Sequence, residues 1–190
     1  SVMGSNDITI EDNVLFMEVT PEDNYGNAIY LSGPVSNIKI DSNAIFMDAT
    51  ASAYGINLMS YGAETNPTDI AITSNRIEMD GDFQSGMVEA IYLSNPTNLV
   101  VEDNIITVNT VNDVFAYGIQ IADDVQYVYF YEGYTGNITS PRNIVIKGNE
   151  FDISSEFMTY AVSVLDFGVD GYDEDYIEYE MYMPHYYGFD

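Results

Sequence analysis

The stretch Asn37–Met47 reads Asn-Ile-Lys-Ile-Asp-Ser-Asn-Ala-Ile-Phe-Met, and versions of it recur at Asn6–Met17, Asp69–Met79, Asn98–Val108 and Asn143–Ile153. Within a copy, Ile38 and Ile40 alternate with Lys39 and Asp41, the two-residue period of a strand with one buried face. Asn43 interrupts the alternation, and Ile45 and Met47 resume it. The pattern predicts two short strands meeting at a corner, with the asparagine in the corner.

The corner asparagines Asn13, Asn43, Asn75, Asn104 and Asn149 are 30, 32, 29 and 45 residues apart. A near-constant period with one long step is the mark of a solenoid carrying an insertion in one coil. The leucine-dominated frame of leucine-rich repeats is absent. A third segment completes each copy: Ala28–Leu31, Gly55–Leu58, Ala90–Leu93, Gly118–Ile121 and Ala161–Val164. Each runs small, apolar, outward, apolar, so Asn57 is expected to face solvent. Turn signals follow at Gly33-Pro34, Asn66-Pro67, Asn95-Pro96 and Ser140-Pro141, where proline suits a position that donates nothing to a ladder.

Three strands per coil predict an all-β fold, a parallel β-helix of about five coils, right-handed because parallel crossovers overwhelmingly are. The predicted inward columns are Ile8, Ile38, Ile70, Leu99, Ile144 and Ile10, Ile40, Ile72, Val101, Ile146 before the corner. Past it they are Leu15, Ile45, Ile77, Ile106, Phe151 and Met17, Met47, Met79, Val108, Ile153. The asparagines are expected to form a structural ladder, their amides bonding to one another and to backbone groups bent out of the sheets. The solenoid is expected to span residues 1–168 with an insert at 123–139, followed by an acidic, Tyr-rich strand or tail at 169–190.

Charge sets the partners. The chain has 4 Lys plus Arg against 31 Asp plus Glu, a net charge of -27. That surface repels phosphate backbones and excludes nucleic acid. A hydrophobic content of 46% still supplies a core. Without cysteine there is no disulfide framework and no thiolate metal site. No apolar run reaches the ~18 residues of a membrane span. The chain opens on Ser1 with no methionine or leader, as expected of a processed or excised chain.

Catalytic chemistry finds no footing, and no catalytic residue is assigned. A polysaccharide lyase needs a base beside cation-holding acids, yet Lys39, Arg76, Arg142 and Lys147 are the whole basic complement and none sits in an evident acidic nest. A glycoside hydrolase needs paired carboxylates within ~5–9.5 Å. Outward acidic columns could supply them: Glu11, Asp41 and Glu102 in one, and Glu18, Asp48 and Asp80, followed by Asn109, in another. Glu18, Asp48 and Asp80 are also the candidates for a metal. Stacked carboxylates repel, and Ca2+ or Mg2+ held as loose bridging ions would relieve them. No calcium loop, phosphate loop or zinc spacing is present, so no cofactor is expected. His185, the single histidine, lies in the tail without a partner motif. Asn137-Ile138-Thr139 is a glycosylation sequon on the insert.

The repeat Asn-Ile-x-Ile-x-x-Asn-x-Ile-x-Met, over roughly Asn6 to Leu165, resembles the parallel β-helix repeats of the pectin-lyase-like superfamily. The catalytic residues of that superfamily find no matching positions. Among its non-enzymatic members the chain is most similar to the acidic, Tyr- and Asn-rich adhesin-like and cell-sheath proteins of methanogenic archaea. The resemblance implies an exported, extracellular protein of the cell envelope. It would assemble with itself into a filament, sheath or surface layer, in contact with other envelope components or glycans. Tyr127, Tyr129, Tyr131, Tyr134, Tyr176, Tyr179 and Tyr182 are the expected assembly residues, since tyrosine buries a large ring while its hydroxyl finds a partner. The competing expectation is a carbohydrate-active enzyme or a saccharide-binding adhesin module.

Overall fold

The computed structural model describes residues 1–23, 25–60, 65–82, 86–111, 114–122 and 141–165. The insert and the tail, with the seven expected assembly tyrosines, Asn137 and His185, lie outside them.

The described residues form a parallel β-helix. A short strand β1 (Val2–Met3) precedes five coils, each contributing one strand to each of three parallel sheets. The coils are β2 (Asn6–Glu11), β3 (Val14–Val19) and β4 (Tyr25–Ser32); β5 (Ser36–Asp41), β6 (Ala44–Ala49) and β7 (Ser52–Met59); β8 (Thr68–Thr73), β9 (Arg76–Gly81) and β10 (Met87–Ser94). They continue with β11 (Thr97–Glu102), β12 (Ile105–Thr110) and β13 (Phe115–Ala122), then β14 (Arg142–Lys147), β15 (Glu150–Ser154) and β16 (Met158–Leu165). The first sheet runs β1-β4-β7-β10-β13-β16, the second β2-β5-β8-β11-β14, the third β3-β6-β9-β12-β15.

The register reproduces the expected columns. Ile8, Ile38, Ile70, Leu99 and Ile144 pair in line, as do Leu15, Ile45, Ile77, Ile106 and Phe151. Ile40, Ile45, Ile56, Leu58, Ile72, Ile77, Ile91, Leu93 and Leu99 are wholly buried along the axis. Each such burial is worth about 1.5–3 kcal/mol, so the axial core is the main source of stability.

The corner is two residues wide. The residue before each ladder asparagine takes a left-handed conformation: Asp12 at φ 56, Ser42 at 56, Ser74 at 55, Asp103 at 55 and Gly148 at 67. That turn re-aims the backbone, and the asparagine satisfies the groups it displaces. Asn75 shows the pattern. Its Nδ2 donates to the Ile40 carbonyl at 2.9 Å, the Thr73 carbonyl at 2.9 Å and Asn104 Oδ1 at 3.0 Å. Its own Oδ1 accepts from the backbone N–H and Nδ2 of Asn43, each at 3.0 Å. The chain of bonds runs in one direction from Asn13 through Asn43, Asn75 and Asn104 to Asn149. Asn43, Asn75 and Asn104 are buried to 1% exposure or less.

A second left-handed column stands near the start of the second sheet's strands, at Asp7, Asn37, Asp69, Asn98 and Asn143, with φ between 53 and 58. These are the residue types that tolerate this conformation best after glycine. Asn37 donates to Asp7 at 2.9 Å, Asn98 to Asp69 at 2.8 Å and Asn143 to Asn98 at 2.8 Å.

Candidate functional site

With the axis filled by side chains, any chemistry sits on the outer faces. The second sheet carries the column Glu11, Asp41, Thr73, Glu102, Lys147. Lys39, one column over, reaches Glu11 at 2.8 Å and Asp41 at 3.1 Å. Lys147 reaches Glu102 at 2.7 Å. The expectation that no basic residue sits among acids is therefore corrected: side chains of adjacent strands on one face meet, and a lysine spans the coil spacing. Hydrogen bonds to Glu11 and then Asp41 raise the Lys39 pKa. The Thr73 hydroxyl, 2.5 Å away, is the first cause holding Asp41 below the usual carboxylate range, with Lys39 second. These exposed pairs neutralise neighbours and contribute little net stability.

The third sheet carries Glu18, Asp48 and Asp80 in register, followed by Asn109, which donates to Asp80 at 2.9 Å. Beside them runs Phe16, Phe46, Glu78. The two columns line a groove of about 640 Å³. The Phe16 and Phe46 rings stack at 5.1 Å and 15°. Among the described residues, no three His, Cys, Asp or Glu side chains converge as a metal cage needs. Glu18, Asp48 and Asp80 lie in file along the axis, one per coil.

The first sheet holds the group that the sequence argument missed. The small residues Ala28, Gly55, Ala90, Gly118 and Ala161 drop out of the cross-strand register. The offset at this position puts polar and aromatic residues on the outer side in two neighbouring columns: Asn27, Tyr54, Glu89, Tyr117, Tyr160 and Tyr30, Asn57, Tyr92, Gln120, Ser163. They meet diagonally. Asn57 donates to Asn27 at 2.6 Å, Tyr92 packs edge-on to Tyr54 at 6.1 Å, and Gln120 faces Glu89. Tyr117 and Tyr160 stack at 5.0 Å.

Asn57 is 3% exposed, which corrects the expected solvent-facing position; its Oδ1 meets no donor. Glu89 is 1% exposed, and burial pushes its carboxyl up to about 8. The same burial, with Glu89 and Tyr160 nearby, pushes the Tyr117 hydroxyl up to about 12. The Glu89 oxygens lie 2.8 and 3.0 Å from one end of the Gln120 amide. A neutral carboxyl gives its O–H to the amide oxygen there, whereas an ionised one requires the amide turned so that its nitrogen donates. The signal was present in the sequence: Glu89 is the one acid in a column otherwise made of Asn27, Tyr54, Tyr117 and Tyr160.

No helix among the described residues is long and apolar enough to cross a membrane. The chain matches no protein-family model, no curated protein and no solved structure.

Proposed function

We propose that the chain is a non-catalytic structural protein of the cell envelope, outside the cell, which assembles with copies of itself into a sheath or surface layer. The observation that supports this is the polarity of the coil edge. In every internal step, one backbone N–H just past the corner donates to the asparagine carbonyl of the coil before: Ala44 to Asn13, Arg76 to Asn43, Ile105 to Asn75 and Glu150 to Asn104, all at 2.8 Å. On the coil of β2 and β3 the corresponding group is Val14 N–H, beside Asn13 Oδ1, and neither has a partner among the described residues. On the coil of β14 and β15 the complementary groups are the Asn149 carbonyl and its amide. Ile8, Ile10, Leu15 and Met17 are half-buried at the first edge, where their internal counterparts are buried.

Each end thus presents one donor and one acceptor, and the pair at one end matches the pair at the other, so the ends are complementary head to tail. With the coils of successive copies stacked along one axis, such contacts propagate as an open filament. Lys147 and Glu11 belong to one column, so stacking two copies would bring unlike charges together. The Tyr-rich segments around Tyr127–Tyr134 and Tyr176–Tyr182 would add lateral contacts.

Electron microscopy and light scattering on the purified protein test the proposal, with Val14→Pro as the decisive variant. Val14 is 62% exposed, and its N–H enters no bond within the described residues, so proline there removes only the donor an added coil would use. Ordered polymers from the wild type and dispersed, folded protein from the variant are expected. Monomers at every concentration, or polymers unaffected by the proline, would overturn it.

A further inference from the structure

We infer that the groove on the third sheet docks an arginine-bearing segment of another protein, seating a guanidinium on Phe16. The groove already holds one such group. The Arg76 guanidinium lies 5.9 Å from the Phe46 ring centroid and pairs with Glu78, a cation over a ring face with a carboxylate beside it. One coil earlier the Phe16 ring, 78% exposed, stands in the same column with Phe46 in the place of Glu78, and the carboxylates of Glu18 and Asp48 run in the column beside it. The column that supplies Arg76 has only Val14 and Ala44 at the two preceding coils, so that column brings no cation to the Phe16 ring among the described residues.

Charge complementarity sets the occupant. Four carboxylates, those of Glu18, Asp48, Glu78 and Asp80, are among the described residues that line the groove, with no lysine or arginine among them; Arg76 meets it through Glu78 and Phe46. Among the described residues, Glu18, Asp48 and Asp80 enter no ion pair. Carboxylates of neighbouring strands stand ~4.8 Å apart and repel, which a cation between them relieves. A mobile sodium ion would serve the carboxylates alone. The stacked rings favour a planar, weakly hydrated guanidinium, which gains from the ring face where a compact, strongly hydrated ammonium gains less. With 4 Lys plus Arg in the whole chain, that cation comes from a partner.

Titration calorimetry at low ionic strength with an arginine peptide and a lysine peptide of equal length tests this. The arginine peptide is expected to bind about tenfold more tightly. Phe16→Ala, at an exposed position that leaves the core intact, should bring the two peptides to equal affinity. Asp48→Asn should weaken the arginine peptide, while Asp12→Asn, at a corner outside the groove, should preserve the preference. Equal affinities in the wild type would mean plain attraction to a chain of charge -27, and would overturn the inference. So would an arginine preference that survives Phe16→Ala, or no binding of either peptide.

Discussion

At the scale of single residues, the decisive side chains are those that satisfy backbone groups or are themselves hard to satisfy. The Asn75 side chain makes five hydrogen bonds, to two strands and two neighbouring corners. Asn75→Leu keeps the branched outline of the side chain but removes all of them, and each buried group left unpaired costs about 1–3 kcal/mol. Asn13→Leu, at the exposed end of the ladder, should cost well under half as much, as urea denaturation of the two variants will show. Glu89 gives a prediction in pH. Its folded pKa, about 8, is raised above the ordinary 4.5. Between those values the unfolded chain releases a proton that the folded chain keeps, so this group's stabilising contribution is full below about 4.5 and lost as pH rises through about 8. Glu89→Gln removes the titration. Relative to wild type it should be near neutral at low pH and stabilising by a few kcal/mol at the alkaline end, on the order of the shift at 1.36 kcal/mol per unit. Parallel stability curves for the two proteins across that range would refute the assignment.

At the scale of elements, the third strand of each coil depends on a column that alternates Ala28, Gly55, Ala90, Gly118, Ala161. A Cβ added at Gly55 would lie 2.6 Å from the Ala90 carbonyl oxygen and 2.9 Å from Ile77 Cγ2. The first is backbone and cannot step aside. Gly55→Ala should therefore destabilise by about 1–3 kcal/mol despite its smallness, through overpacking between β7 and β10. Thermal melts of Gly55→Ala beside Ala90→Gly separate this from a plain glycine effect: the first should lower Tm by steric crowding, the second by added chain entropy and the loss of one buried methyl. The corner supplies a matching case. Ser42 has φ 56, and Ser42→Val would place a β-branched residue in the left-handed region, where the strain is about 1–2 kcal/mol.

At the scale of the whole molecule, each described coil touches only its neighbours, and the full chain carries a net charge of -27 with few cations. Self-repulsion then opposes the compact state, and salt screens it. Raising sodium chloride from about 0.05 M to about 0.5 M should raise Tm. Because no group of three metal-ligating side chains converges among the described residues, calcium chloride at matched ionic strength should raise it no further, and a chelator should leave it unchanged. A calcium-specific gain measured by calorimetry would contradict this.

The coil is written in the local residue pattern. A two-residue hydrophobic period interrupted by asparagine at a fixed step sets the inward columns, the three strands per coil and the sheet register, because shifting a strand by one residue would turn its whole apolar set outward. The ladder was legible for the same reason, since each corner displaces the same backbone groups. Tertiary structure alone decided the outer faces. Asn57 reads as an outward position on a strand, and outward on an isolated strand means wet; Glu89 has the parity of Ile91 and Leu93 on its strand. In the stack, the offset at Gly55 and Ala90 brings two outward columns side by side, so Tyr54, Tyr92 and Tyr117 crowd around them and exclude water. Likewise, Phe16 and Glu18 lie on β3 and Phe46 on β6, and they become a groove only when coils stack. Local period fixes which way a side chain points; what it meets there depends on residues about thirty positions away, brought beside it by the stack.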